Sequence, residues 1–421
     1  MKVTLPRCRD AAFSVATPPS KSYTHRAFIT AALGTGTSVI KNPLLADDTR
    51  LTIQALARLG VQSDVSPERV KIEGTDGILS CEKGTTLDLG NSGTSLRLLT
   101  TLALLADQPV TLTGSARMKE RPVGPLADAL RSLGGEIKFL QKAGFPPFTV
   151  SGSLAGGTAT IDGSVSSQFV SSILIASPYA ENDIDIIIPG NLASRSYLDI
   201  TASVMRSFGA ELKREGYTRF HVSNRCRYRG REYVIEGDYS SASYFFAIAA
   251  VCGGKVTVTN LAPESVQGDR AFLDALGRMG CRVVPGENSV TVERTGRLTG
   301  ITFDMSSSPD TVQTLCMVAA VAATPTTITG ISHLKFKESD RITSTAGNLR
   351  RLGGDVTTES DRITIRPSAL HGGTIDPADD HRTAMSFAVL GLAVGDVTIT
   401  GAECVTKSFP GFWETLSGVI G

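Results

Sequence analysis

Leu89-Gly90-Asn91-Ser92-Gly93-Thr94-Ser95-Leu96-Arg97 sets small, hydrogen-bonding residues directly ahead of an apolar helical pattern at Leu96, Leu99, Ala103 and Leu104. The stretch reads as a loop opening a helix. The first backbone N–H groups of a helix lack internal partners and carry the positive end of its dipole, so Gly90 and Gly93 would let an anion reach bare backbone. Alone, such a motif is more often plain loop chemistry. Its weight comes from the strand-like run downstream, Val110-Thr111-Leu112-Thr113-Gly114, and from the recurrence of that pair along the chain.

Similar runs end at Asn42, Gly114, Gly190, Asn260, Gly330 and Gly401, in steps of 72, 76, 70, 70 and 71 residues. After each of the first five comes a helix pattern closing at Gly60, Gly134, Gly209, Gly280 or Gly353, which fits a C-terminal cap with positive φ. Ahead of each run lies another helix with a polar first turn: Ser20-Lys21-Ser22, Gly93-Thr94-Ser95, Ser166-Ser167-Gln168, Ser240-Ser241, Pro309-Asp310-Thr311 and Asp379-Asp380-His381-Arg382. The module is helix, strand, helix, strand or strands, large enough to bury both a sheet face and a helix stripe.

The sixth copy ends with a helix around Trp413 to Gly421, so the strands that close every other copy are missing there. Val3-Thr4-Leu5 and Phe13-Ser14-Val15 are expected to supply them. This predicts a discontinuous domain of residues 1–16 and 231–421 and a continuous one of 17–230, joined by hinge crossings near 16–19 and 225–231. Three modules per domain predict pseudo-threefold symmetry. If the two sets of helix N-termini face each other across the hinge, their dipoles converge on a cleft that attracts polyanions.

A chain of 421 residues exceeds what one core usually supports, and 41% hydrophobic with 20% charged residues describes a globular protein. Lys+Arg 42 against Asp+Glu 41 leaves no global sign that would favour nucleic acid or an anionic membrane. The segment Met1 to Asp10 has no apolar run of a secretory or transit peptide, and the uncharged span Thr311 to Ser332 is broken by Pro325. Seven scattered cysteines without a CxxC pair fit reduced thiols in a cytoplasm. No HExxH, CxxC or carboxylate-rich loop suggests a metal, and the glycine loop lacks the GK[ST] of a nucleotide-binding P-loop. The expected chemistry therefore handles phosphate without nucleotide, metal or other cofactor.

The polar helix starts are decorated unequally. Lys21, Ser22 and Arg26 stand within about a turn, and each cation can make charge-assisted bonds to phosphate of about 1.5 to 3 kcal/mol. Arg97, Arg117, Lys119 and Arg121 gather four cations that would repel unless an anion sat between them. In Lys335-Phe336-Lys337-Glu338-Ser339-Asp340-Arg341, read as entering a helix, Lys337 and Arg341 fall at i, i+4 on one face beside Glu338. A neighbouring anion would bias Glu338 toward protonation and make it a candidate acid. His381-Arg382 and Lys407-Ser408-Phe409-Pro410 add cations in the sixth copy. Asp310 is either a helix cap or a lone functional carboxylate.

At Pro18-Pro19-Ser20-Lys21-Ser22, Leu89 to Thr94, Arg121-Pro122, Ser166-Ser167-Gln168-Phe169, Gly237-Asp238 with Ser240-Ser241-Ala242, Lys337 to Arg341, Asp380-His381-Arg382 and Lys407 to Pro410, the chain resembles the 5-enolpyruvylshikimate-3-phosphate synthase family. The resemblance spans nearly the whole length. It implies a two-domain inside-out α/β barrel of six βαβαββ repeats, three per domain, and the transfer of enolpyruvate from phosphoenolpyruvate to shikimate 3-phosphate in chorismate and aromatic amino acid biosynthesis. By the family pattern Lys21, Ser22, Arg26, Ser166, Ser167, Gln168, Ser194, Asp310 and Lys337 would hold shikimate 3-phosphate. Phosphoenolpyruvate would meet Lys21, Gly93, Arg121, Gln168, Arg341, Arg382 and Lys407. Asp310 would take the 5-hydroxyl proton and Glu338 would protonate the methylene carbon, with Lys21 in the catalytic set.

The resemblance further implies a cytoplasmic monomer with small-molecule partners only, no nucleic acid and no membrane. Two positions depart from the common pattern: Leu98 stands where proline is usual and His333 where asparagine is common. Sensitivity to glyphosate, implied by Gly93, is left open by Leu98. The nearest rival is the sister family acting on UDP-N-acetylglucosamine, which carries a reactive residue, usually cysteine, in the loop corresponding to 114–121. None of those positions is Cys here. A non-catalytic repeat protein that binds an anionic metabolite is a rival of another class.

Overall fold

The computed structural model describes residues 1–420. Six sheets share one plan, and the plan is set by the strands whose spacing marks the repeat. In the second repeat Val110–Thr113 pairs parallel with Thr86–Asp88 and antiparallel with Phe148–Gly152, which pairs in turn with Gly135–Phe139. The third repeat does the same with Ile184–Ile187 between Gly157–Thr160 and Arg219–Val222, and the fifth with Thr326–Thr329 between Thr302–Asp304 and Arg362–Arg366. Side chains alternate along the central strands. Val110 and Leu112 are buried while Thr111 is half-exposed and shares a hydroxyl bond of 3.0 Å with Thr149, as expected for a sheet with one face on a core.

The first and fourth repeats take their leading strand from elsewhere. Thr37–Lys41 pairs parallel with Glu232–Val234, and Gly254–Thr259 pairs parallel with Ala11–Ala16. In the sixth repeat Val397–Thr400 has Gly373–Ile375 on one side and Lys2–Leu5, antiparallel, on the other. The N-terminal segment therefore does not close the sixth copy with both of its strands. Only Lys2–Leu5 joins that sheet, and Ala11–Ala16 serves the fourth, because its register runs parallel to Gly254–Thr259 over its full length.

The polar-start helices are Lys21–Leu33, Gly93–Leu102, Gln168–Ala176, Tyr239–Cys252, Val312–Ala320 and His381–Val394. They are buried nearly all round, as the core of an inside-out arrangement with sheets outside requires. Their polar residues bond to one another: Ser243 Oγ to Thr314 Oγ1 at 3.3 Å, Thr314 Oγ1 to Ser386 Oγ at 3.2 Å, and Thr101 Oγ1 to Ser172 Oγ at 2.6 Å. The glycines closing the second helices, Gly60, Gly134, Gly209, Gly280 and Gly353, have φ between 86° and 106°, where a side chain would be strained.

Two compact units result, one of Met1–Pro19 with the chain from Glu236 onward, the other of Ser20–Ile235. Residues 231–235, placed by spacing with the later half, belong to the second unit because Glu232–Val234 leads the sheet of the first repeat. Each unit has its own apolar core. Among the described residues no helix is long and apolar enough to cross a membrane.

Candidate active site

In the Ser20–Ile235 unit the expected anion binders cluster at three helix starts. Lys21, the first residue of its helix, is 9% exposed and pairs with Asp48 at 3.1 Å. The backbone carbonyl of Asp48 accepts from Ser95 Oγ at 3.1 Å, which ties the first repeat to the glycine loop of the second. Ser92 caps that helix by accepting from Ser95 N at 3.3 Å. The next tie is Gln168, whose amide donates to Thr94 Oγ1 at 2.9 Å and whose carbonyl accepts from Arg97 at 2.8 Å. Lys21, Gly93, Thr94 and Gln168 thus belong to one network, and Ser166 joins it by accepting from Gln168 N at 3.2 Å.

Arg121 donates to the Asn91 carbonyl at 3.0 Å, which lays its guanidinium against Gly93. Arg26 is 1% exposed and its donors reach Thr201 at 2.8 Å, the Ser22 carbonyl at 3.0 Å, Ser171 at 3.3 Å and the Tyr197 carbonyl at 3.3 Å. Burial lowers its pKa to about 10. Arg26 is a strut between the first and third repeats as well as a candidate contact. Ser194 is buried with φ 57° in the left-handed region, and its hydroxyl has no hydrogen-bond partner within the protein. Ser167 is 1% exposed at the start of the third helix, and its side chain makes no cap bond.

The four cations of the second repeat do not converge. Arg97 is bound to Gln168 and stacks over Phe169 at 5.3 Å, Arg117 pairs with Glu120 at 2.9 Å, and Lys119 is exposed. Arg121 lies at the glycine loop.

In the other unit, carboxylates and guanidinium groups interlock. Arg341 is 1% exposed and donates to Asp380 at 2.8 and 3.3 Å, to Glu338 at 2.8 Å and to Asp310 at 3.0 Å. Arg382 donates to the second oxygen of Asp310 at 2.7 Å and to the Tyr244 hydroxyl at 3.4 Å. The surrounding carboxylates hold the Arg341 guanidinium charged against its burial, while burial raises the Tyr244 hydroxyl to about 12.

One expectation fails here, and one alternative is set aside. Lys337 and Arg341 do not share a helix face, because the helix begins at Arg341 with Asp340 as its cap, and Lys337 is extended at the end of the 3-10 turn Ser332–Phe336. Asp310 caps nothing: the next helix starts at Val312 after Thr311, and the Asp310 carboxylate faces the two guanidinium groups instead. The field of Lys337 reaches His333 and that of Lys407 reaches Asp379. His333 is buried with Nε2 unpartnered, and burial with the Lys337 charge lowers it to about 3, so the ring is neutral.

Sequence reasoning misses Asp48 and Asp380 as site residues. Each lies beside a predicted cation in space but 27 or 39 residues away in sequence, so no local spacing reveals the pairing. Among the described residues no group of three or more His, Cys, Asp or Glu stands together as a metal site would require.

The arrangement offers two clusters that can bind phosphate and carboxylate groups, one of which also holds buried carboxyls able to move protons. Residues 10–416 match the family model of EPSP synthase (3-phosphoshikimate 1-carboxyvinyltransferase). The chain is 66% identical over 420 residues to the 3-phosphoshikimate 1-carboxyvinyltransferase of Methanoregula boonei, covering 100% of both. It is 43% identical over 406 residues to that of Serratia proteamaculans, covering 96% of this chain and 95% of the relative. Its fold matches the solved structure of EPSP synthase from Acinetobacter baumannii with a TM-score of 0.82 at 28% identity, covering 99% and 98%.

Proposed function

The chain belongs to the EPSP synthase family, the 3-phosphoshikimate 1-carboxyvinyltransferases, and from that membership we propose how its residues divide the work. The reaction moves the enolpyruvyl group of phosphoenolpyruvate to the 5-hydroxyl of shikimate 3-phosphate and releases phosphate, a transferase step in chorismate and aromatic amino acid biosynthesis. Both substrates are small molecules.

Lys21, Ser22, Arg26, Ser166, Ser167, Gln168 and Ser194 hold shikimate 3-phosphate, with Asp310 and Lys337 meeting it from the other unit. Gly93, Arg121, Gln168 and Lys21 meet phosphoenolpyruvate together with Arg341, Arg382 and Lys407.

Asp310 takes the proton of the 5-hydroxyl as its oxygen forms a bond to C2, and Glu338 gives a proton to the methylene carbon. The product of this addition is a tetrahedral adduct carrying a methyl group. In elimination a methyl proton returns to Glu338 and the C2–O bond to phosphate breaks; the departing phosphate is stabilised by Lys21, Arg121, Arg341, Arg382 and Lys407 and leaves with the proton that Asp310 took up, which restores both carboxyl groups. A guanidinium beside Glu338 favours its ionised form. Phosphoenolpyruvate, by drawing the donors of Arg341 to itself, releases Glu338 from that partner and raises its affinity for the proton it must deliver.

The observation that carries this reading is the shared guanidinium of Arg341, bonded at once to Glu338 and Asp310 at 2.8 and 3.0 Å. The test is phosphate release with both substrates present, measured with wild-type protein and with Glu338→Gln. Release that needed only one substrate, or that the variant left intact, would defeat the assignment.

A further inference from the structure

His25 stands between the proposed substrate contacts Ser22 and Arg26, yet the reaction as divided above gives it no task. It is fully buried in the helix Lys21–Leu33, and its Nδ1 lies 2.7 Å from Thr52 Oγ1 on the helix Asp47–Arg58. Thr52 Oγ1 lies 2.8 Å from Ser95 Oγ, in the first turn of the helix Gly93–Leu102, and Ser95 Oγ lies 2.6 Å from Ser92 Oγ. Ser95 Oγ also donates to the Asp48 carbonyl at 3.1 Å. Thr52, Ser92 and Ser95 are as fully buried as His25.

Counting protons gives this chain a direction. A hydroxyl has one proton to give, and that of Ser95 goes to the Asp48 carbonyl, so Ser95 Oγ accepts from both Ser92 and Thr52. Thr52 has then spent its own proton, and toward His25 it can only accept. Nδ1 of His25 therefore carries a proton. The other tautomer would draw the Thr52 proton to Nδ1, and Ser95 would have to turn from Asp48 to Thr52 or face it with no proton between the two oxygens.

The chain ends on two features of the proposed phosphoenolpyruvate site. Asp48, whose carbonyl takes the last proton, holds Lys21 through its carboxylate at 3.1 Å. Ser92 accepts from the Ser95 backbone N–H at 3.3 Å and sets the turn ahead of Gly93. We propose that His25 is a positioning residue: the proton on Nδ1 aligns Thr52 and Ser95 toward the Asp48 carbonyl and so fixes the glycine loop against the helix whose carboxylate holds Lys21. A buried network in which every proton has an acceptor rigidifies the groups it joins. The proposal rests on the reading of Gly93 and Lys21 as phosphoenolpyruvate contacts.

Two measurements test it. Nitrogen-15 NMR of protein labelled at its five histidines reads the tautomer, with the His25 signals assigned by their loss in His25→Asn. A proton on Nδ1 is expected, and a bare Nδ1 would overturn the proposal. Steady-state kinetics reads the consequence. His25→Leu and Thr52→Val, which remove the donor and the middle hydroxyl, are each expected to raise KM for phosphoenolpyruvate about two- to tenfold, the scale of one net hydrogen bond, with the loss in KM rather than kcat. Because both cut one chain, the double variant is expected to be no worse than the worse single. His25→Asn, whose amide N–H can stand near the place of Nδ1–H, is expected to keep KM close to wild type. An unchanged KM in both single variants, losses that multiply in the double, or an Asn variant as impaired as Leu would each overturn the proposal. Should His25→Leu not fold, the wild-type tautomer and Thr52→Val decide without it. Gly93→Ala separates the two readings, because an unchanged phosphoenolpyruvate KM there would refute the site itself, whatever the tautomer of His25.

Discussion

Gly93 lies against the guanidinium of Arg121: a Cβ at Gly93 would fall 2.4 Å from Nη2 and 2.6 Å from Cζ. The absent side chain is therefore what allows the arginine to rest at the start of the helix, where its charge adds to that of the bare N–H groups. Gly93→Ala must push the guanidinium aside. The expected outcome is a rise of about tenfold in KM for phosphoenolpyruvate, the scale of one lost charge-assisted bond, with KM for shikimate 3-phosphate little changed. Steady-state kinetics with each substrate varied in turn gives the answer, and an unchanged phosphoenolpyruvate KM would remove Arg121 from that site.

Glu338→Gln keeps the size of the side chain and a bond to Arg341 but cannot exchange the proton. Turnover should fall by about 10²- to 10⁴-fold, the usual contribution of a positioned acid, with both substrates still bound. Rapid-quench detection of the tetrahedral adduct discriminates further, since a variant that formed the adduct at the normal rate would relieve Glu338 of the donor role.

Ser194 presents a buried, unpartnered hydroxyl from a left-handed residue. Removing an unsatisfied polar group costs no internal bond, so Ser194→Ala should leave the melting temperature level or raised while KM for shikimate 3-phosphate climbs several-fold. A fall in stability without a change in KM would reassign Ser194 to the scaffold.

Arg341 pairs with three carboxylates in one cluster. Arg341→Met leaves Asp380, Glu338 and Asp310 crowded together, and a loss of about 3 kcal/mol is expected from breaking such a buried arrangement on one side. Urea unfolding monitored by fluorescence measures it. A variant as stable as wild type would mean that the cluster adapts by taking up protons, and the melting temperature would then fall as pH rises.

His333 is held neutral, lowered from 6.5 to about 3 by burial and by Lys337. The unfolded chain binds a proton at His333 that the folded chain refuses, so folding stability is fully present above pH 6.5 and declines as pH falls toward 3. His333→Asn should flatten that part of the acid slope. An identical slope in the variant would show that His333 takes no part in it.

The repeat was legible because the strands that mark it end in Gly or Asn at near-constant spacing, and their alternation survives in the sheets. Gly60 and its counterparts were legible for a similar reason, since a positive φ leaves few residue choices. Asp310 was named as a functional carboxylate, but its partners were not legible, because Arg341 and Arg382 stand 31 and 72 residues away. A polar residue just before an apolar run looks the same whether it caps a helix or faces a guanidinium. The helix assigned to Lys337 failed for a local reason: Asp340 caps from inside the charged run, and no periodicity within so short a stretch can show that. The parentage of Ala11–Ala16 was hidden too, since several sheets could accept a short strand, and only register with Gly254–Thr259 decides among them.

That register orders events on the ribosome. Ala11–Ala16 is made long before Gly254–Thr259, its parallel neighbour, and at roughly 10 residues per second it waits on the order of 20 s for that neighbour to emerge. The Ser20–Ile235 unit, with Glu232–Val234 as its last strand, can be finished in the interval. A nascent chain thus carries an unpaired strand ahead of a lobe whose strands have all been made.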